Sequence, residues 1–145
     1  MLVTSANGNK VNSTAASFGC VGQLWGKRVI MVYVRPSRYT KEFLDASGEF
    51  SLSFLNRNEY RGALKYMEAV SGRNEDKIAG ARLTVNYDEG IPFIDEADNV
   101  ITCKVIYKQQ YDAEGFVDKS IVDEFYKDGD LHYMYIGEIH KILIR

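Results

Sequence analysis

Two periodicities divide the chain. Glu49 to Leu55 alternates, with Phe50, Leu52 and Phe54 on one side and Ser51 and Ser53 on the other, the period-two pattern of a half-buried strand. Val29 to Val34 is apolar throughout and reads as a strand covered on both faces. Leu2 to Thr4 is a short strand, and Asn7-Gly8 is a strong hairpin signal that would return Lys10 to Ala16 beside it. Ala81 to Tyr87, Ile91 to Ile94, Asn99 to Tyr111 and Leu131 to Arg145 also read as extended, with Ile101, Cys103, Val105 and Tyr107 on one side of the third. Gly137 marks a bulge or a close approach in the last.

Helical signals are fewer. Ser37 suits the N-cap of a helix reaching about Asp45, with Gly48 as its stop. Asn56 and Glu59 resemble a capping box for a second helix, which lines up Tyr60, Ala63, Leu64, Met67 and Val70 and ends at Ser71-Gly72. A short helix is expected around Val117 to Phe125. With no regular strand–helix alternation, the pattern predicts a mainly β fold, an antiparallel β-barrel with helices packed on its outside. The 145 residues are most simply one domain, 1–145, without repeat, linker or low-complexity segment.

Composition narrows the chemistry. Apolar residues make up 46% of the chain, and a formal net charge of −2 gives no electrostatic argument for nucleic acid or an anionic membrane. No apolar segment reaches the length of a membrane span and no signal peptide precedes the first strand, so a soluble, cytoplasmic protein is expected. Cys20 and Cys103 lie far apart and are expected as buried or partly buried thiols in a reducing compartment. His132 and His140, eight residues apart in the last strand, would share a face in a regular ladder but stand roughly 26 Å apart. No metal site is expected from them, and no nucleophile elbow or His-Glu-x-x-His pattern is present.

Three segments suit an anion or a cofactor. Arg35-Pro36-Ser37-Arg38-Tyr39-Thr40 leads from the buried strand into a helix start, where N–H groups, two guanidinium groups and hydroxyls gather. The alternative there is a turn with solvated arginines. Asn12 to Gly19 offers small side chains and open backbone, and Ser71-Gly72…Asp76-Lys77 offers a helix end followed by a lysine. Neither the Gly-rich dinucleotide fingerprint nor the P-loop occurs, so a phosphorylated cofactor would need such separated segments together.

Asn12-Ser13-Thr14-Ala15-Ala16-Ser17-Phe18-Gly19, then Trp25, Arg35 to Thr40, the Ser71…Lys77 loop and Gly129-Asp130-Leu131-His132 resemble, in order, the segments of the flavin reductase-like, FMN-binding split-barrel proteins, flavoredoxin among them. The resemblance covers nearly the whole chain. It implies a homodimeric split β-barrel with FMN near the subunit interface. By matching position, Asn12, Thr14, Ala15, Ser17, Phe18 and Gly19 would lie along the flavin ring. Arg35, Ser37, Arg38, Tyr39, Thr40, Ser71, Gly72 and Lys77 would hold the phosphate and ribityl chain.

Thr14-Ala15 stands where the family has Met-Thr, Phe18 where it has Trp, and the family's N-terminal lead-in is absent. The implied activity is hydride transfer from NADH or NADPH to the flavin, then electron transfer to a second flavin or a protein acceptor. The flavin would carry the chemistry, with no side-chain catalytic group except His132 as a candidate contact at the open face. A carrier without nicotinamide turnover, or a degenerate barrel serving as a binding module without flavin, are the alternatives. Cys20 is read as a small residue in a tight turn rather than a redox group.

Overall fold

The computed structural model describes residues 1–145. β1 (Leu2–Asn7) and β2 (Lys10–Ala15) form a hairpin whose turn residues are Gly8 and Asn9, with Gly8 at φ +59°. β3 (Gly19–Leu24) and β4 (Lys27–Val34) form another, closed by Trp25 and Gly26, both at positive φ as a two-residue hairpin of this twist demands. α1 (Thr40–Ser47) leads into β5 (Glu49–Phe54), and α2 (Arg61–Ala69) and the one-turn α3 (Lys77–Gly80) follow. β6 (Val85–Asp88) and β7 (Ile91–Ile94) pair only with each other. The chain then runs through β8 (Asn99–Gln110), a 3₁₀ turn at Ala113–Gly115, α4 (Ser120–Phe125) and β9 (Tyr133–Ile144).

Seven strands form one antiparallel sheet in the order β2-β1-β5-β8-β9-β4-β3. Val3 of β1 shares a buried cluster with Ile30, Val32 and Val34 of β4, together with Leu44, Phe50, Leu52, Cys103 and Tyr135. Three strands separate β1 from β4 in the ladder, so they reach one core only because the sheet curls on itself. The expected mainly β, split-barrel architecture is what forms. A second core, including Leu2, Met67, Ile78, Leu83, Ile94 and Val100, gathers side chains of α2, α3 and β7 against residues of β1 and β8.

Several expectations need correction. Ser51 and Ser53 are fully buried, so β5 is covered on both faces; Ser51 Oγ donates to Pro92 O at 2.6 Å, and Ser53 Oγ accepts from Ile94 N–H at 3.1 Å. The serines are the hydrogen-bonding partners of β7, whose own outer edge cannot join the main sheet. Ser37 does not cap α1, which begins at Thr40 behind a tight turn from Arg35 to Arg38; the Ser37 hydroxyl is held by Asp130 instead. Asn56 does cap a turn, accepting from Asn58 and Glu59 N–H, but α2 starts only at Arg61.

The extended stretch from Ala81 shortens to Val85–Asp88, since Arg82 takes φ +58°, and the helix expected over Val117 to Phe125 begins at Ser120. Two irregularities break the β8–β9 ladder. It steps from Thr102–Lys141 to Cys103–Ile139, leaving His140 as the extra residue, and from Val105–Gly137 to Tyr107–Ile136, leaving Ile106 unpaired. The first undoes the even spacing of the two histidines: His132 precedes β9 and is buried, while His140 is exposed and bonded to Glu89 at 2.6 Å. Cys103 is buried, its thiol pushed up to about 12 by desolvation, whereas Cys20 is exposed on β3 rather than packed in a turn.

The close approach expected at Gly137 is realised. A Cβ there would lie 2.6 Å from Phe50 Cζ and 2.9 Å from Cys103 Cβ, so the Phe50 ring occupies the space a side chain would take. Phe50 and Cys103 are both fully buried and cannot swing into water. Gly137→Ala is expected to destabilise the fold by about 1–3 kcal/mol through overpacking. Chemical denaturation of the two proteins measures it, and an unchanged midpoint would refute the contact.

Candidate functional site

The curl of the sheet brings together residues far apart in sequence. β2 delivers Thr14, the lead-in to α1 delivers Arg35, Ser37, Arg38, Tyr39 and Thr40, and the segment after α2 delivers Ser71, Gly72 and Lys77. All nine line one cavity of about 450 Å³, whose wall is almost entirely polar. Val70, Asp128 and Asp130 complete it. Neither aspartate was foreseen, because the acidic turn lies some ninety residues beyond the segment it meets.

Asn12 lies beneath this cavity rather than in it. It is buried, donates from Nδ2 to Thr40 Oγ1 at 3.0 Å, and occupies the space in which a Cβ at Gly72 would sit. Its role is to join β2, α1 and the post-α2 loop. On the far side of Asn12 and Gly72 lies a larger hollow of about 700 Å³, where Arg73 stacks on Tyr39 at 4.7 Å and pairs with Glu42.

The cations are each anchored at one end. Arg38 Nη1 donates to Glu68 O at 3.0 Å, and Lys77 Nζ to Met67 O and Val70 O at 3.0 and 3.2 Å. Both therefore satisfy carbonyls left open at the C-terminus of α2, where a positive charge is favoured. Lys77 is only 3% exposed, and burial, then the neighbouring Arg38 guanidinium, pulls its ammonium down to about 8. Arg35 Nη2 donates to Phe125 O at 2.8 Å and its guanidinium lies 5.4 Å from the Tyr126 ring centre. Thr14 Oγ1 is buried with no hydrogen-bond partner in the protein. A buried hydroxyl without a partner, at a cavity lined by three cations, is a group that a ligand oxygen would satisfy.

The remaining sequence candidates fall beside this cavity. Ala15 and Ser17 border a shallower hollow with Met1 and Arg57, and Ser17 and Gly19 border the next one along with Cys20 and Val21. Phe18 is about half exposed and sits edge-on to His132 and Phe125, with ring centres 5.7 and 6.2 Å apart. His132 Nδ1 lies 2.6 Å from the Tyr126 hydroxyl. Desolvation, reinforced by Arg35, lowers the pKa of His132, so the neutral ring is favoured; with Tyr126 donating, its proton sits on Nε2. The polar cavity and the Phe18 cluster meet at Arg35, which lines the one and donates to Phe125 O, whose ring packs edge-on to Phe18.

The chain was compared with known proteins. A search of curated protein sequences found no match. Among solved structures, flavoredoxin from Methanosarcina acetivorans superimposes with a TM-score of 0.78 at 22% identity, covering 99% of this chain and 67% of that one. The FMN-binding protein from Thermus thermophilus, with bound p-hydroxybenzaldehyde, gives 0.77 at 18%, covering 99% and 70%. Flavin reductase PheA2 gives 0.72 at 18%, covering 99% and 77%. At these identities the likeness is one of fold. The family model for the flavin reductase like domain matches residues 1–145, and the chain belongs to that family.

Proposed function

We propose that the protein is an FMN-binding flavoprotein, acting as a flavin reductase with NADH or NADPH as hydride donor. The observation that carries this is the meeting of Thr14, Arg35, Arg38 and Lys77 in one cavity beside an apolar shelf. A phosphomonoester fits what the residues lack: it would give Thr14 Oγ1 its missing partner and stabilise the Lys77 ammonium that burial disfavours. Arg35, Ser37, Arg38, Thr14, Ser71 and Lys77 would hold the phosphate, and Phe18 with the Ala15–Gly19 backbone would face the ring. When bound, FMN supplies hydride acceptance and onward electron transfer.

The chain's own residues then have limited tasks. Arg38 and Lys77, held by the end of α2, would present positive charge; Phe18 and Phe125 would offer an apolar edge; His132, its Nδ1 paired with the Tyr126 hydroxyl, would stand beside it. Association as a homodimer is part of the proposal, supported by Val21 and Trp25, which stand more than 60% exposed on the β3–β4 hairpin at the sheet's open edge. A second flavin or a protein would take the electrons, and the cytoplasm is the proposed compartment. No helix is long and apolar enough to cross a membrane.

The decisive experiment is incubation of purified protein with FMN, desalting, and anaerobic addition of NADH or NADPH. A yellow protein that bleaches is expected. A colourless one rejects the flavin reading, and a yellow one that resists bleaching leaves an electron carrier.

Thr14→Val removes only the orphan hydroxyl. It should leave the ligand-free fold as stable or up to about 1 kcal/mol more stable, while weakening FMN about fivefold and riboflavin less than twofold. Equal losses for the two flavins would contradict a phosphate at Thr14.

Lys77 yields opposed pH effects. Its pKa is lower in the folded chain, about 8, than its ordinary 10.5, so at this group the unfolded chain holds more protons between those values and the Lys77 contribution to stability rises with pH. The rise is seen without offset below pH 9, above which the buried Cys103 thiol contributes the opposite slope. FMN affinity should fall over the same rise, as the ammonium is lost. Lys77→Met should abolish both trends; denaturation and flavin titration at pH 7 to 10 measure them.

A further inference from the structure

Two carboxylates share the cavity with Arg35, Arg38 and Lys77. Asp130 takes both hydrogen bonds that Ser37 can give: Ser37 Oγ donates to Oδ2, and Ser37 N–H to Oδ1 at 3.3 Å. Asp128 Oδ1 stands 3.5 Å from Arg35 Nη1 and accepts from Asp130 N–H at 3.1 Å. A main-chain N–H, a hydroxyl and a guanidinium at a helix lead-in are what a phosphomonoester would use, and here one acidic turn uses them.

The turn is exposed at Asp128 and Gly129. Gly129 takes φ +73°, a left-handed bend that side chains disfavour, and the Asp128 side chain is 65% exposed, so its release to water costs little desolvation. With three cations against two carboxylates, the cavity's formal charge is low for holding a dianion. Thr14 Oγ1, by contrast, remains without a partner, so the turn fills only part of the anion site.

We propose that Asp130 is an internal competitor for the phosphate grip: its carboxylate holds Ser37 in the free protein, and a phosphomonoester binds by displacing it. Asp130 thereby sets how strongly the site prefers a phosphorylated flavin over an unphosphorylated one. The proposal rests on the phosphate reading of this cavity and adds a regulator to it.

Asp130→Asn and Asp130→Ser, made in the full chain, test it by titration with FMN, riboflavin and inorganic phosphate. Flavin fluorescence reads the first two and calorimetry the third, with circular dichroism checking the fold. Removing a carboxylate a few ångströms from the bound dianion should tighten FMN and inorganic phosphate about tenfold at low salt, less at high salt, and change riboflavin less than twofold. Unchanged or weaker phosphate binding, or loss of the fold in both variants, would overturn the proposal and leave Asp130 as a strut for Ser37. Tighter inorganic phosphate with no flavin binding in any protein would uphold the competitor while rejecting the flavin reading. Flavin binding that ignores Asp130 would do the reverse, and absence of both ligands would reject both.

Discussion

The site depends on a single buried hydrogen bond, from Asn12 Nδ2 to Thr40 Oγ1. Both residues are buried, so neither polar group can turn to water if the other is lost, and breaking the pair costs more than its making gains. Asn12 also fills the space beside Gly72, which has no side chain to resist it. Three segments that do not neighbour one another in the main sheet are thereby held at a common point. The curl of the sheet brings these segments near, and this clasp, with the bond from Arg38 to Glu68 O, fixes them around the cavity.

Cations in the cavity serve two masters. Glu68, Met67 and Val70 expose carbonyls at the end of α2 that the helix itself cannot satisfy, and Arg38 and Lys77 answer them. The same charges look into the cavity. A helix end thus supplies the reason that a lysine can be 97% buried without an acid beside it, and burial in turn leaves that lysine in want of an anion. Structural need and binding capacity are the same electrostatic fact seen from two sides.

How much of this was legible in the sequence follows from the range of each interaction. The Val29–Val34 run, the Asn7-Gly8 hairpin and the Gly48 stop are local, and each appears close to where pattern placed it, whereas the hairpin at Trp25-Gly26 was not foreseen from pattern. The anion segments were legible as chemistry, and the order of the family-like motifs tied them together. What misled was long-range pairing. Ser51 and Ser53 look solvent-facing by alternation, yet they are the docking points of β7, forty-one residues on. Ser37 looks like a cap because Ser before a helix is usually one, but α1 begins only at Thr40, and the Ser37 hydroxyl donates to a carboxylate ninety-three residues away. Asn12 belongs by resemblance to the ring segment, and its side chain also serves as the clasp, which no local pattern announces because nothing local distinguishes a buried amide from an exposed one.

The ring end and the phosphate end of the site obey different constraints. Phe18, where relatives carry Trp, keeps an aromatic face but gives up an N–H, and its partners are other rings: His132, Phe125 and, through His132, Tyr126. Such edge-on contacts tolerate small shifts, so this shelf can change residue without losing its shape. The polar cavity is less tolerant, because Thr14, Thr40 and Lys77 are buried and Arg38 and Lys77 are bonded to carbonyls at the end of α2. On the proposed reading, affinity for a ligand's anionic end and hold on its flat end would be separately adjustable, one through the charge balance at Ser37 and the other through apolar contact at Phe18.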